Sequence, residues 1–173
     1  MNKQNIKSIL TNARLRLAAV TCLILAALGL PTAELVRGGG SPPQPIDVTV
    51  FIPASVCGFP VQATATGRLG VISLPGGGFL VTSPATTAVF TNLSDPTKSV
   101  TINGFTGPGI ITTDQNGNTI ARGLGRGAIW DPATPGFGIR FQAGDFTLVF
   151  DPNGNLLSDT GNGLVTNVCD LIN

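Results

Sequence analysis

The chain has 173 residues and is nearly neutral, with ten basic and nine acidic residues and a formal net charge of +1. This length suits one domain with a short leader better than two domains. The absence of histidine and tyrosine excludes Ser-His-Asp and Cys-His catalysis, an imidazole base and phenolic acid–base chemistry. From Glu34 onward, nine acidic residues face six basic ones. Such a body lacks the basic surface that nucleic acid requires, so nucleic acid is not an expected partner.

The first 33 residues have the layout of a secretory signal peptide. Residues 1–16 are polar and basic, and residues 17–30 form a mostly apolar run of 14 residues. This run is shorter than the roughly 20 residues of a membrane-spanning helix. We therefore predict a secreted, extracellular protein, exported through a signal peptide at 1–33 and without a stable transmembrane span. Two cleavage sites fit this layout, one after Gly29 and the other after Ala33.

The next segment, residues 34–45, is rich in glycine and proline and contains the sequence VRGGGSPPQP. This composition is typical of a flexible tether that becomes stiffer at its proline end. We predict that the folded part is a single all-β domain over residues 46–173.

Candidate strands follow at short intervals in this domain, separated by turn residues. They cover residues 47–52, 61–66, 68–74, 79–83, 87–92, 99–105, 110–113, 119–122, 137–142, 146–150, 156–157 and 164–169. Short turns between strands favour antiparallel hairpins, and no stretch has the 3.6-residue apolar period of a helix. The predicted fold is therefore an antiparallel hairpin meander closed into a small β-barrel, with a two-sheet β-sandwich as the alternative.

Removal of the leader would remove Cys22 and leave two cysteines, Cys57 and Cys169. In an exported protein such a pair is expected to form a disulfide. The bridge would join the beginning and the end of the domain, which must then lie within about 7 Å of each other at the two Cα atoms. We therefore expect the first and last strands to be neighbours and the sheet to close.

The pattern Asp-x-Asn-Gly-Asn occurs twice. Its oxygens stand at positions one, three and five of a calcium-loop pattern, which makes weak metal-ligand candidates of Asp114, Asn116, Asn118, Asp151, Asn153 and Asn155. A calcium-binding EF-hand loop also requires glycine at position six and glutamate at position twelve, and both segments lack these residues. Glycine at position four is typical of a hairpin turn. A hairpin turn is therefore the favoured interpretation, and no metal or other cofactor is predicted.

A glycine-rich stretch at residues 123–127 has Arg122 beside it and Arg126 within it. No helix follows that could supply a dipole to a phosphate, so we favour a bulged or kinked strand over an anion-binding loop. Trp130 either stacks on a ligand or packs one end of the domain. Arg122, Arg126, Arg140 and Trp130 are the candidate contacts for an anion or another ligand.

Residues 159–161 spell Asp-Thr-Gly, the triplet of aspartic proteases. Those enzymes need two such carboxylates, each on its own lobe. The triplet occurs once in this chain and only 12 residues follow it, so we interpret it as coincidental.

Several short motifs give the domain a resemblance to a group of small exported actinobacterial β-rich proteins. They are VCGFPV at residues 56–61, a glycine-spaced stretch ending in Trp130, Pro-Gly at 135–136 before a strand pair, and VCDL at 168–171. The resemblance implies bacterial origin, export and a β-rich body, and it implies no catalytic residues.

These observations favour a secreted, non-catalytic protein that binds a small apolar ligand or a surface partner such as a cell-envelope component. The alternatives are a structural, envelope-associated protein and an Asp-based hydrolase or isomerase acting in a barrel mouth. An unfilled apolar interior would favour the binding protein. A filled interior with an exposed apolar patch would favour the structural, envelope-associated protein. Two converging carboxylates would favour the Asp-based enzyme. The phenylalanines expected to fill or line the interior are Phe79, Phe90, Phe141, Phe146 and Phe150.

Overall fold

A computed structural model describes residues 42–173, and this part of the chain is all-β, as predicted. The signal peptide predicted at 1–33 and most of the tether predicted at 34–45 lie outside the described residues. The strands are β1 (Gln44–Ile52), β2 (Val61–Ser73), β3 (Phe79–Thr82), β4 (Thr87–Asn92), β5 (Ser99–Asn103), β6 (Gly109–Thr113), β7 (Thr119–Trp130), β8 (Ile139–Phe150) and β9 (Leu156–Asn167), and the helices are α1 (Ala54–Cys57) and α2 (Val168–Leu171). Neither helix of the described part is long and apolar enough to cross a membrane.

The nine strands form one sheet in which every pairing is antiparallel. Along the sheet the order is β5-β4-β2-β3-β6-β7-β8-β9, and β1 pairs with β2. The long strand β2 connects two regions, because its first half pairs with β1 and β4 and its second half pairs with β3. The antiparallel pairing is therefore as predicted, but the meander is interrupted, because β3 does not pair with β4 and β5 does not pair with β6.

This sheet is open, which differs from the predicted barrel. Among the described strands, β1, β5 and β9 each pair with one neighbour only, and β1 does not pair with β9. The predicted disulfide Cys57–Cys169 is present, with its Cα atoms 5.4 Å apart. Its cysteines lie in α1 and α2, which follow the ends of β1 and β9. The bridge therefore brings two helical turns together, and the expectation that it makes the strands neighbours was wrong.

Three neighbouring strands bend sharply along one line, which we call the glycine crease. Gly125 of β7 lies opposite Gly144 of β8, which lies opposite Gly163 of β9. Their φ angles are +142°, +148° and +154°, in a region that residues other than glycine rarely adopt. A Cβ atom at Gly144 would overlap the carbonyl oxygen of Asn162, and one at Gly163 would overlap that of Ala143. Only glycine therefore allows the strands to bend here and remain paired.

The crease folds the β8–β9 ribbon onto itself. Gln142 pairs with Val165, and Asp159 pairs with Leu148, six residues further along β8 than Gln142. In a straight strand this separation would be about 20 Å. The Gln142 amide nevertheless donates to Asp159 Oδ1 at 2.8 Å. The two halves of the ribbon therefore face each other across the crease.

Two groups of apolar side chains form the core. The larger one, which we call the disulfide core, includes Cys169 of the bridge and is centred on Ile52, Val61, Phe90, Phe105, Trp130, Ile139, Val168 and Ile172. The second core contains Ile129, Leu148 and Phe150. Trp130 and Ile129 are successive residues of β7 that point to opposite faces. The end of β7 is therefore packed against apolar side chains on both faces.

Several predicted strands are segments of longer ones. Residues 61–66 and 68–74 belong to β2, and residues 137–142 and 146–150 contribute to β8. The turn expected at residues 161–163 is instead the middle of β9. The local sequence around these glycines indicates a turn, but in the structure they lie in a bent strand that remains paired. The last predicted strand, residues 164–169, ends at Asn167, whose side chain accepts a hydrogen bond from the Cys169 amide at 3.1 Å and caps α2.

Candidate functional site

A cavity of about 130 Å³, here called the main cavity, lies inside the folded sheet. Strands β2, β3, β6, β7 and β8 contribute to its wall, which is largely apolar and includes Leu69, Val81, Ile111, Ile129, Leu148 and Phe150. An engineered apolar cavity of about 150 Å³ in another protein stays dry and binds benzene. The main cavity is therefore of a size and chemistry that suit a small apolar molecule.

Two glycines determine where one aromatic wall of the main cavity lies. Gly123 is opposite Phe146 in the β7–β8 register. A Cβ atom at Gly123 would overlap the Phe146 ring, and one at Gly127 would lie 2.8 Å from its Cζ atom. The ring therefore rests across Gly123 and Gly127 of β7. The kinked-strand interpretation of residues 123–127 agrees with this arrangement, since the whole stretch is part of β7.

Three of the four predicted ligand contacts border the main cavity, namely Arg122, Arg126 and Trp130. The Arg122 guanidinium donates to both carboxylate oxygens of Asp145, at 2.8 and 3.2 Å. These hydrogen bonds raise the pKa of Arg122 and lower the pKa of Asp145. Arg122 is thus already paired with a carboxylate.

Arg126 differs from Arg122, since it makes no ion pair within residues 42–173. Its guanidinium donates to the backbone carbonyl of Asn103 at 3.0 Å. Trp130 is buried and belongs to the disulfide core as well as bordering the cavity. Its side chain is therefore packed within the disulfide core.

The fourth predicted contact, Arg140, lies elsewhere, in a cleft between β8 and β9. Its guanidinium stacks over the Phe137 ring at 4.0 Å and lies 3.4 Å from an Asp159 carboxylate oxygen. This β8–β9 cleft has a volume of about 170 Å³ and also contains Gln142. Phe146 lines both the main cavity and the β8–β9 cleft.

Four of the five phenylalanines expected in the interior divide between the disulfide core and the main cavity. Phe90 is fully buried in the disulfide core, and Phe141 packs against that core. Phe146 and Phe150 line the main cavity. Phe79, by contrast, is 37% exposed. The interior is therefore filled at the disulfide core and unfilled near the second core.

Both Asp-x-Asn-Gly-Asn segments are hairpin turns, one between β6 and β7 and the other between β8 and β9. In the first, Asp114 Oδ1 accepts from the amides of Asn116 and Asn118 at 2.8 and 2.9 Å. Asp151 accepts equivalent hydrogen bonds from Asn153 and Asn155, both at 2.8 Å. The backbone and side-chain amides of Asn118 lower the pKa of Asp114 most, and the side-chain and backbone amides of Asn155 lower the pKa of Asp151 most. Their carboxylates hold the turns together.

Two other aspartates, Asp145 and Asp159, line the β8–β9 cleft. Asp145 is bound by Arg122, whereas Asp159 is bound by Gln142 and approached by Arg140. The register places them on opposite faces of the sheet, because Asp159 lies opposite Leu148 and residues 145 and 148 of β8 point to opposite sides. Two carboxylates on opposite faces do not form the acid–base pair that an Asp-based hydrolase would need.

Sequence reasoning did not single out Gln142, and it treated the Asp159 triplet as coincidental. No local signal marks Gln142, since a polar residue in a strand is ordinarily exposed. Across residues 42–173, no three cysteine or acidic side chains converge as a metal site would require. Comparisons with protein-family models, curated proteins and solved structures find no match to this chain.

Proposed function

We propose that this protein is an exported, non-catalytic binding protein that holds a small apolar ligand in the main cavity. The observation that carries the proposal is the unfilled apolar volume between Leu69, Val81, Ile111 and the Phe146 ring. Protein interiors are ordinarily close-packed, and an unfilled volume lowers stability. The disulfide core of the same molecule is filled, so the fold is able to pack tightly where no space is needed.

Trp130 makes the proposal directly testable. It is the only tryptophan of a chain without tyrosine, and it borders the main cavity. Titration with toluene is expected to change its fluorescence in a saturable manner. Ala121→Phe should abolish the change, because Ala121 lines the cavity and the added ring would fill it. Ala133→Phe is the matched control, since Ala133 is exposed in the loop between β7 and β8. A fluorescence that does not saturate, or equal effects of the two substitutions, would contradict the proposal.

Export is part of the same proposal. A disulfide between Cys57 and Cys169 suits an oxidising compartment. The secreted protein is expected to have lost residues 1–33 and to gain two hydrogens on reduction, as measured by intact mass. A full-length intracellular chain in which Cys57 and Cys169 alkylate freely without reductant would contradict export and the bridge together.

A structural, envelope-associated role is the second candidate. It is favoured by three apolar side chains on β9, where Leu157, Leu164 and Val165 are 57%, 67% and 56% exposed. This strand pairs on one side only among the described strands. Under this candidate the protein should sediment with a cell-envelope preparation, and Leu164→Lys should release it. Leu93→Lys, at a partly exposed leucine in the turn after β4, is the control.

A further inference from the structure

The β8–β9 cleft contains a buried hydrogen-bond acceptor without a partner. Gln142 is 6% exposed, and its Oε1 atom is the only buried side-chain nitrogen or oxygen in residues 42–173 that lacks a hydrogen bond. Native proteins satisfy nearly all such atoms, and leaving one unsatisfied is costly. Gln142 Oε1 is therefore a buried acceptor that a hydrogen-bond donor would stabilise.

The orientation of the Gln142 amide is set by its neighbour. Its nitrogen donates to Asp159 Oδ1 and Oδ2 at 2.8 and 2.9 Å. The reverse orientation would place Oε1 against the carboxylate, which accepts hydrogen bonds and repels another acceptor. Asp159 therefore keeps Oε1 directed away from itself.

The charges of the cleft balance, which bears on the kind of ligand. Arg140 pairs with Asp159, and Asp145 pairs with Arg122 outside the cleft. A cation would meet the Arg140 guanidinium and an anion would meet the Asp159 carboxylate, so an ionic ligand gains little here. A purely apolar ligand would leave Gln142 Oε1 without a partner. A neutral ligand that both donates and accepts hydrogen bonds fits best.

We propose that the β8–β9 cleft binds a neutral, hydroxyl-rich ligand such as a sugar. One hydroxyl donates to Gln142 Oε1, and the same or a neighbouring hydroxyl accepts from Arg140. The side chains of Phe146 and Val165 offer apolar surface to the C–H groups of such a ring. The volume of about 170 Å³ greatly exceeds the roughly 10–15 Å³ that one water needs. This site is separate from the main cavity and does not depend on an apolar ligand there.

The test is an NMR titration of the full exported protein with glucose, galactose, mannose and arabinose, each up to about 50 mM to detect millimolar Kd values. We expect at least one sugar to shift the Gln142 side-chain amide and the Arg140 Nε–H signal in a saturable manner. Addition of toluene should not change these sugar-induced shifts. This result would show that the sugar site is separate from the main cavity.

Gln142→Met removes the acceptor at similar volume and should weaken binding about tenfold or more. Gln62→Met, the same change at an exposed glutamine of β2, should have no effect. Arg140→Met tests the donor without removing the Gln142–Asp159 hydrogen bonds, and it keeps the test decisive if Gln142→Met does not fold. Absence of any saturable shift would overturn the proposal. So would equal affinity in all variants, or a crystal soaked in sugar in which waters alone satisfy Oε1.

Discussion

At the disulfide core the chain buries large side chains almost completely, whereas at the main cavity it leaves an apolar volume unfilled. Phe90 and Phe105 meet edge to face, with ring centroids 5.7 Å apart, and both are buried. Around the main cavity, Phe146 rests on two glycines and Phe150 lines an open volume. The same sheet contributes to both regions, so their difference is one of side-chain volume and not of fold.

This contrast shows how stability and binding are divided in the molecule. The disulfide core holds the two ends of the described chain together, and Asn92 adds a hydrogen bond to the carbonyl of Ile172 at 3.0 Å. The main cavity lies where residues of β2, β3, β6, β7 and β8 form the wall. We therefore expect substitutions at the disulfide core to lower stability most, and substitutions near the main cavity to alter binding at less cost.

The largest effect should come from removing the bridge. Cys57→Ala with Cys169→Ala opens a loop with a sequence separation of 112 residues, and the chain-entropy model then predicts a loss of about 5 kcal/mol in the free energy of unfolding. Urea unfolding with and without reductant measures it. The double variant should respond no further to reductant. An unchanged midpoint after reduction of the unsubstituted protein would show that the disulfide core is stable without its bridge.

The two aromatic environments can be compared next. Phe90→Ala should cost about 3–5 kcal/mol, because the ring is fully buried and its removal leaves a cavity. Phe146→Ala should cost only about 1–2 kcal/mol, since this ring is partly exposed and already faces open volume. Urea unfolding of the two variants gives both values. Equal costs would mean that the main cavity is filled in solution as tightly as the disulfide core.

The crease between the regions should be sensitive to a single methyl group. Gly144→Ala combines a positive φ with overlap against the Asn162 carbonyl, and we expect a loss of about 3 kcal/mol or more. Gly76→Ala is the control, because Gly76 also has a positive φ, of +87°, but no atom lies within 4 Å of its Cβ position. It should cost about 1 kcal/mol. Similar thermal unfolding temperatures for the two variants would argue against a sterically determined bend.

The smallest effect concerns the Asp114 and Asp151 turns, which lie close together, since a Cβ at Gly117 would be 3.5 Å from Cγ of Pro152. The pKa of each aspartate is lowered by hydrogen bonds within its own turn. Their contribution to stability is therefore present above the ordinary carboxyl pKa near 4 and is lost as the pH falls through the lower folded-state pKa.

Thermal unfolding between about pH 5 and pH 3 measures this contribution. Asp114→Asn together with Asp151→Asn should reduce the decrease in unfolding temperature over that range, because neither turn then contains a carboxylate. Carbon-13 shifts of the two carboxyl groups should give midpoints below the ordinary value. An unchanged acid response in the double variant would assign acid sensitivity to other groups.

The sequence was informative wherever neighbours along the chain decide the structure. The Asp-x-Asn-Gly-Asn pattern favours a hairpin turn through the positive φ of its glycine and through hydrogen bonds that its aspartate accepts from the residues two and four positions later. Both segments form such turns. In the same way, two cysteines after a predicted signal peptide indicate a bridge by their number alone. The all-β class follows from β-branched residues separated by turn formers.

Other glycines were ambiguous for a physical reason. A glycine adopts positive φ both in a turn and in a bent strand, and the outcome depends on whether partner strands continue past it. Gly144 has Gly125 on one side and Gly163 on the other, and these three residues are far apart in sequence. Local patterns do not contain that register, so residues 161–163 indicated a turn.

What the sequence by itself determined is an all-β domain with hairpin turns and one disulfide, because composition, turn chemistry and cysteine number act locally or by simple counting. Tertiary structure alone decided that the sheet stays open, that it folds at three aligned glycines, and that Gln142 meets Asp159 across that fold. The β8–β9 cleft arises from this bend, whereas the main cavity lies between residues of β2, β3, β6, β7 and β8. Their walls combine residues that only the register of paired strands brings together.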